Sequence, residues 1–240
     1  MKSYGQFCPV AKASEIFAQR WTPLILRELL MGSERFGDLE RGLPRISRSM
    51  LLKRLRFLED SGLLLKRTST TNRTSRYRLT PAGKELFNVV KCLGDWGQRW
   101  VNHDVGPGDL DPDLLLWDMH RRINVDMLPD ERVVAQIDVF GSHSRRYWLV
   151  FEKPNPSVCY RDPELEVDVT IEADTLTLHR IWLGRTDFGT AIRRELIKIR
   201  GPRKWVRVLP DWFALSIFAA VEPVFSDANR KTDRAEGKSA

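Results

Sequence analysis

The sequence predicts an α+β protein in two parts, and three observations carry that expectation. Charge is divided unevenly: residues 1–104 hold 19 Lys/Arg against 10 Asp/Glu, while residues 105–240 hold 20 against 22. The apolar spacing is mostly helical in the first part and alternates, strand-like, through much of the second. Between them NHDVGPGDLDPD, 102–113, has the Gly, Pro and Asp content of a linker. The predicted units are 1–104, helical with one two-stranded hairpin, and 112–225. The second is an α+β domain with a mostly antiparallel five-stranded sheet and helices on one face. A polar tail, 226–240, is expected to lack order.

In the first unit, 9–19 alternates at helical spacing with Val10, Ala13 and Phe17 on one side. Thr22, with Pro23 behind it, reads as an N-cap. Leu24, Ile25, Leu26, Leu29 and Leu30 make the following helix mostly buried, and Gly32 ends it. A short helix over 36–42 and the turn LPRIS follow, with Ser47 able to cap a helix over 48–60. Leu51, Leu55 and Leu58 form its buried stripe. Ser49, Lys53 and Arg56 lie roughly opposite, Arg54 flanks them, and Arg48 stands at the N-terminal tip. Strands over 63–67 and 75–79 are joined by the polar turn TSTTNRT. Every charge over 63–80 is positive. Thr80 then caps a long helix from Pro81 to Trp100.

A compact pair of helices followed by a basic wing is suited to duplex DNA. Residues 41–80 carry 11 Lys/Arg against 2 Asp/Glu. The candidate contacts are Arg48, Ser49, Lys53, Arg54 and Arg56 on the helix, and Asn72, Arg73 and Arg76 on the wing. Helix contacts to base edges would set sequence choice, and wing contacts to phosphate would set affinity and its salt dependence. The last helix carries more apolar surface than one small unit needs. Leu86, Val90, Leu93, Trp96 and Trp100 are therefore expected at a homodimer interface.

In the second unit a helix is expected over 114–123 and strands over 132–140, 146–152, 158–161, 166–172 and 197–200. GSHS and PNPS supply two of the turns. Val167, Val169 and Ile171 should point inward. Asp174 should cap a helix through 183, with further helices over 188–196 and 202–218. Five of the eight tryptophans lie here. They are expected either as ordinary core or, grouped on a small sheet, as walls of an apolar cavity.

Other chemistry finds little footing. The N-terminus lacks an apolar signal core, and no apolar run is long enough to span a bilayer. Cys8, Cys92 and Cys159 form no CxxC pair or disulfide framework. A cytoplasmic protein with no membrane partner is therefore expected. The four histidines are dispersed without metal-ligand spacing, so no metal is expected. No nucleophile elbow, Gly-rich phosphate loop or paired acid–base motif calls for a cofactor or an enzyme.

The run CPVAKASEIFAQRWTPLILRELLMGSERFGDLERGLPRISRSMLLKRLRFLEDSGLLLKR, continued by SRYRLTPAGKEL, resembles the HxlR family of bacterial winged-helix transcription regulators. The resemblance covers about residues 7–100. It rests on the Cys-Pro start, Arg-Trp-Thr before Leu-Arg-Glu-Leu, Arg-Phe-x-x-Leu, Ile-Ser before the recognition helix, and Tyr-x-Leu-Thr-Pro-x-Gly after the wing. It implies a homodimer on a pseudo-palindromic operator. Leu52 departs from the small polar residue common there, and reads as packing or as a thymine-methyl contact. Several family members sense oxidants or electrophiles through the cysteine before proline, here Cys8. A helix start beside a thiol favours the thiolate, and the alternative is a small buried hydrophobe.

The order EVDVTIEADTLTLHRIWLGRTDFGTAIRRELIKIRGPRKWV is similar to the sterol carrier protein type lipid-binding fold, over about 112–215. That resemblance implies an apolar tunnel, with Trp182, Phe188, Trp205 and Trp212 on the segments that line it. The combined expectation is a dimeric regulator, repressing rather than activating, controlled by a hydrophobic small molecule. A redox-sensing regulator using Cys8, with a structural second domain, is the first rival. A lipid carrier or enzyme localised by its basic domain is the second.

Overall fold

The computed structural model describes residues 3–68, 74–101, 106, 108–141 and 144–224. Its first part comprises α1 (Pro9–Phe17), α2 (Thr22–Leu30), α3 (Phe36–Gly42), α4 (Arg48–Asp60), β1 (Leu64–Thr68), β2 (Ser75–Leu79) and α5 (Pro81–Trp100). The chain forms two compact units, Met1–Gly94 and Asp95–Ala240, with the border inside α5. The tail 226–240 lies outside the described residues.

Leu51, Leu55 and Leu58 of α4 join Ile25, Leu26, Leu29, Leu39 and Tyr77 in the core of the first unit. Two helix ends are built alike. Gly32 and Gly62 adopt φ of +93° and +72°. Beyond them Ser33 N–H donates to Glu28 O and Leu63 N–H to Leu58 O, closing the last turns of α2 and α4. Ser47 Oγ accepts from Met50 N–H at 3.3 Å, and Thr80 Oγ1 from Gly83 N–H at 3.2 Å, so both serve as the caps expected.

Thr22 does not cap α2. The cap residue is Trp21, in the left-handed region at φ +76°, while Thr22 lies within the helix and is fully buried. Leu24 is exposed rather than buried. On α1 it is Ile16 and Phe17 that pack on the core, whereas Val10 stands in solvent.

A buried carboxylate ties α2 to the end of α3. Glu28 accepts from Arg27 at 2.7 Å and from Ser33 Oγ at 3.2 Å, and Arg27 also donates to Gly42 O. Such a charge is tolerable inside only because it is paired and hydrogen-bonded.

The second unit contains α6 (Pro112–His120), β3 (Val133–Phe140), β4 (Arg145–Phe151), β5 (Ser157–Cys159), β6 (Val169–Asp174), α7 (Thr175–Trp182), α8 (Phe188–Arg193), β7 (Ile197–Arg200) and α9 (Arg203–Val208). The sheet order is β5-β4-β3-β6-β7. β3 and β6 run parallel and the other pairs antiparallel. Alternate residues Val133, Ala135, Ile137, Val169, Ile171 and Ala173 face one core, which Leu116 and Met119 of α6, Leu178 and Ile181 of α7, Ala191 of α8 and Trp205 of α9 also join. Val134, Trp148 and Val150, on the opposite face, are buried as well.

Several boundaries shift for local reasons. Asp168 exchanges bonds with Val134, its carboxylate accepting N–H and its own N–H donating to Val134 O. β6 therefore starts at Val169, and Val167 is exposed rather than inward. α8 stops at Arg193 because Glu195 turns at φ +57°. The helix expected over 202–218 is α9 and then a 3₁₀ turn, Leu209–Trp212, containing Pro210. Beyond it Phe213 is extended and bridges Ile123. That pairing also draws 121–123 out of α6.

Candidate nucleic-acid interface

With its leucine stripe turned inward, α4 presents the opposite side to solvent. Ser49, Leu52, Lys53, Arg56, Phe57 and Asp60 line one depression along that side. This brings together three of the five helix residues that the sequence nominates, with Leu52 beside them, and adds Phe57 and Asp60. The spacing of the leucines could have found both. Arg48, exposed at the first turn, lies 3.3 Å from Glu40 and 5.2 Å from the Phe36 ring centroid. Arg54 leads elsewhere: it is half-buried and donates to Gln19 Oε1 at 3.3 Å, tethering α4 to the end of α1.

On the wing, β1 and β2 pair antiparallel from Leu64↔Leu79 to Thr68↔Ser75. Lys66, Arg67, Arg76 and Arg78 are exposed. Asn72 and Arg73 lie outside the described residues. The chain before α3 joins the hairpin through an Arg35↔Arg76 bridge and a Tyr77 N–H to Glu34 O bond of 2.7 Å. That places the Glu34 carboxylate 2.8 Å from Arg78 and 3.1 Å from Arg76. Burial works against ionising Glu34, but hydrogen bonds and charge from the two guanidiniums prevail and hold its pKa below the usual carboxylate value. Glu34 and Glu40 are acidic neighbours of the nominated arginines that sequence reasoning misses. The contact joining Glu34 to Arg76 spans 42 residues, and no local signal marks it.

Of the dimer candidates, Leu86 and Val90 pack on the first unit's core. Leu93, Trp96 and Trp100 are 48%, 57% and 43% exposed. Phe7, next to Cys8, is 98% exposed. Cys8 is a half-buried free thiol at the N-cap of α1, with no side-chain capping bond.

The four aromatics expected to line a tunnel sit against the second core. Trp212 is 1% exposed, with its ring 4.8 Å from Phe151 and 6.0 Å from Trp205. Phe188 stacks on Phe213 at 5.5 Å, and Trp182 packs at the edge of the same cluster. Among the described residues no His/Cys/Asp/Glu group suits a metal ion, and no helix is long and apolar enough to cross a membrane.

Comparison with known proteins agrees with this geometry in the first part. The HxlR-like helix-turn-helix family matches residues 16–105. The chain is 41% identical over 99 residues to the uncharacterized HTH-type transcriptional regulator Rv3095 of Mycobacterium tuberculosis. That match covers 41% of this chain and 62% of the relative, so it spans less than two thirds of the mycobacterial protein. It is 36% identical over 101 residues to the uncharacterized HTH-type transcriptional regulator YvaP of Bacillus subtilis, covering 41% of this chain and 93% of YvaP. The solved structure of the redox regulator HypR in its oxidized form aligns at 28% identity and a TM-score of 0.38, over 41% of this chain and all of that one. With nearly the whole of YvaP matched, and α2 to α5 within the matched span, the chain belongs to the HxlR-like helix-turn-helix family.

Proposed function

We propose that the protein is a transcription regulator that binds duplex DNA sequence-specifically as a homodimer. The observation that carries this is the outward side of α4: Ser49, Lys53 and Arg56 together on one helix face, beside a wing whose described charges are all basic. A helix of this kind enters the major groove, and basic wing residues take up phosphate. Bidentate contact of Arg56 with guanine, and a Lys53 contact to a base edge, would supply sequence choice. The exposed apolar side of α5 supports the homodimer. Repression is the simpler output, since a dimer covering a promoter needs no contact with polymerase.

A hydrophobic effector acting through the second unit belongs to the same proposal. Its support is the cluster of Trp182, Phe188, Trp205 and Trp212, whose rings would have to part to admit a ligand. Control through the Cys8 thiol is the competing input, supported by a free, half-buried thiol. A Cys8→Ser protein that still releases DNA on adding a hydrophobic ligand decides for the effector. One that loses its response to oxidant decides for the thiol.

The test of DNA binding selects a preferred duplex from a random pool and measures Lys53→Ala and Arg56→Ala on it. Removing a side chain that reads a base edge should cost roughly 1–3 kcal/mol and relax the preference at one position. Equal weakening on every sequence would reassign that residue to phosphate. Unchanged binding by both variants would remove α4 from the interface.

A further inference from the structure

Three of the four leucines of α4, Leu51, Leu55 and Leu58, are buried, and the fourth, Leu52, is 37% exposed. Leu52 stands outside the first unit's core, in the depression that Ser49, Lys53 and Arg56 also line. Ser49 lies three residues before it and Arg56 four after it, so the three share one face of the helix. Half-buried Phe57 adds apolar surface to the depression, and Asp60 closes its C-terminal end. Folding gains nothing from a leucine left in water at this place, since a straight polar side chain would form the helix about as well. A lone exposed leucine is ordinary on a surface. This one is set among hydrogen-bond donors, in the second turn of the helix whose first turns would meet base edges.

We propose that Leu52 is a specificity-determining residue that selects thymine, its side chain packing on the C5 methyl of one thymine in the major groove. The inference rests on the DNA-binding reading above. Of the groups that base edges present in the major groove, the thymine methyl alone is apolar. Against a guanine or adenine N7, or a cytosine amino group, Leu52 would strip water and return no hydrogen bond, so it also acts against the other bases. Lys53 and Arg56 offer donors only, which suits guanine O6 and N7. The expected half-site therefore pairs a thymine with a nearby guanine. Four helical residues advance about 6 Å, so the thymine should lie within about two base steps, of roughly 3.4 Å each, from the base that Arg56 meets. The Asp60 carboxylate is repelled by phosphate, which favours entry of the N-terminal turns into the groove. A protein partner is the poorer fit, because one exposed leucine between Lys53 and Arg56 is too little apolar surface for the core of a protein interface.

The test uses the full chain and its preferred duplex, selected from a random pool. Each thymine of one half-site is replaced in turn by deoxyuridine, which removes the C5 methyl and leaves every hydrogen-bonding group in place. For at least one thymine, wild-type affinity should fall about fourfold, the worth of one buried methyl-sized group. At that position Leu52→Ala should bind the thymine and uracil duplexes equally, which isolates the pairwise contact. Leu52→Met keeps the apolar bulk and should keep the discrimination. A half-site in which no replacement weakens wild-type binding, while Lys53→Ala and Arg56→Ala still do, overturns the inference and leaves the DNA-binding reading intact. A uracil-sensitive position that stays sensitive in Leu52→Ala gives the methyl contact to another residue and overturns it as well. No duplex binding by the wild type sinks both readings.

Discussion

At Gly42 a methyl group would lie 1.9 Å from Glu28 Oε2, a buried carboxylate already held by Arg27 and Ser33. Neither side can give way without unpairing a charge. Gly42→Ala should therefore destabilise the protein by about 1–3 kcal/mol in urea unfolding. Gly37, on the open side of the same helix, has nothing within 4 Å of where an alanine methyl would stand, so Gly37→Ala should stabilise by about 0.4–1 kcal/mol. Equal effects would mean that Glu28 moves freely. His179 gives a pH signature. Burial, then the charges of Arg180 and Arg185, lowers its pKa below the ordinary histidine value. The unfolded chain takes up the proton near pH 6.5 while the folded chain does not, so stability falls as pH drops below about 6.5 until the folded pKa is passed. The melting temperature of His179→Gln should decline less than that of the wild type between pH 7 and 5. Parallel declines would remove His179 as a cause.

Elements whose signals are local are legible in the sequence. Ser47, Thr80 and Asp174 cap their helices, and Gly32 and Gly62 end theirs, because each acts within four residues of itself. What sequence misreads depends on distant partners. Thr22 has the chemistry of a cap, but Trp21 takes the left-handed turn there and Thr22 is enclosed. Arg54 flanks the outward side by its spacing, and its bond to Gln19, 35 positions away, is one that no local signal marks. The wing shows the same limit, since nothing in SRYRL announces that Glu34 lies between Arg76 and Arg78. That carboxylate competes with phosphate for two guanidiniums. Glu34→Gln should steepen the salt dependence of duplex binding by about one unit. A slope that stays the same would show that neither arginine meets phosphate.

For the molecule as a whole, the decisive quantity is how many chains act together. Along α5, Leu86, Val89, Leu93, Trp96 and Trp100 recur at alternating intervals of three and four, the spacing of a seam between paired helices. Leu86 is spent on the first unit's core, but the residues from Val89 onward are 43–57% exposed. Isolated apolar side chains are ordinary on a surface, whereas an aligned row with two tryptophans is not. Pairing two copies along this row would bury it, and would set two α4 helices to read half-sites about 34–36 Å apart, one turn of DNA. The wild type should therefore sediment as a dimer of the 27.8 kDa chain at micromolar concentration. A Leu93→Glu, Trp96→Glu protein should sediment as a monomer with an unchanged circular dichroism spectrum, since neither side chain is needed by its own core. Its affinity for a two-half-site duplex should fall to that for a single half-site, because the second contact is then no longer intramolecular. A folded wild-type monomer, or a double variant that still dimerises, would move the subunit contact off α5.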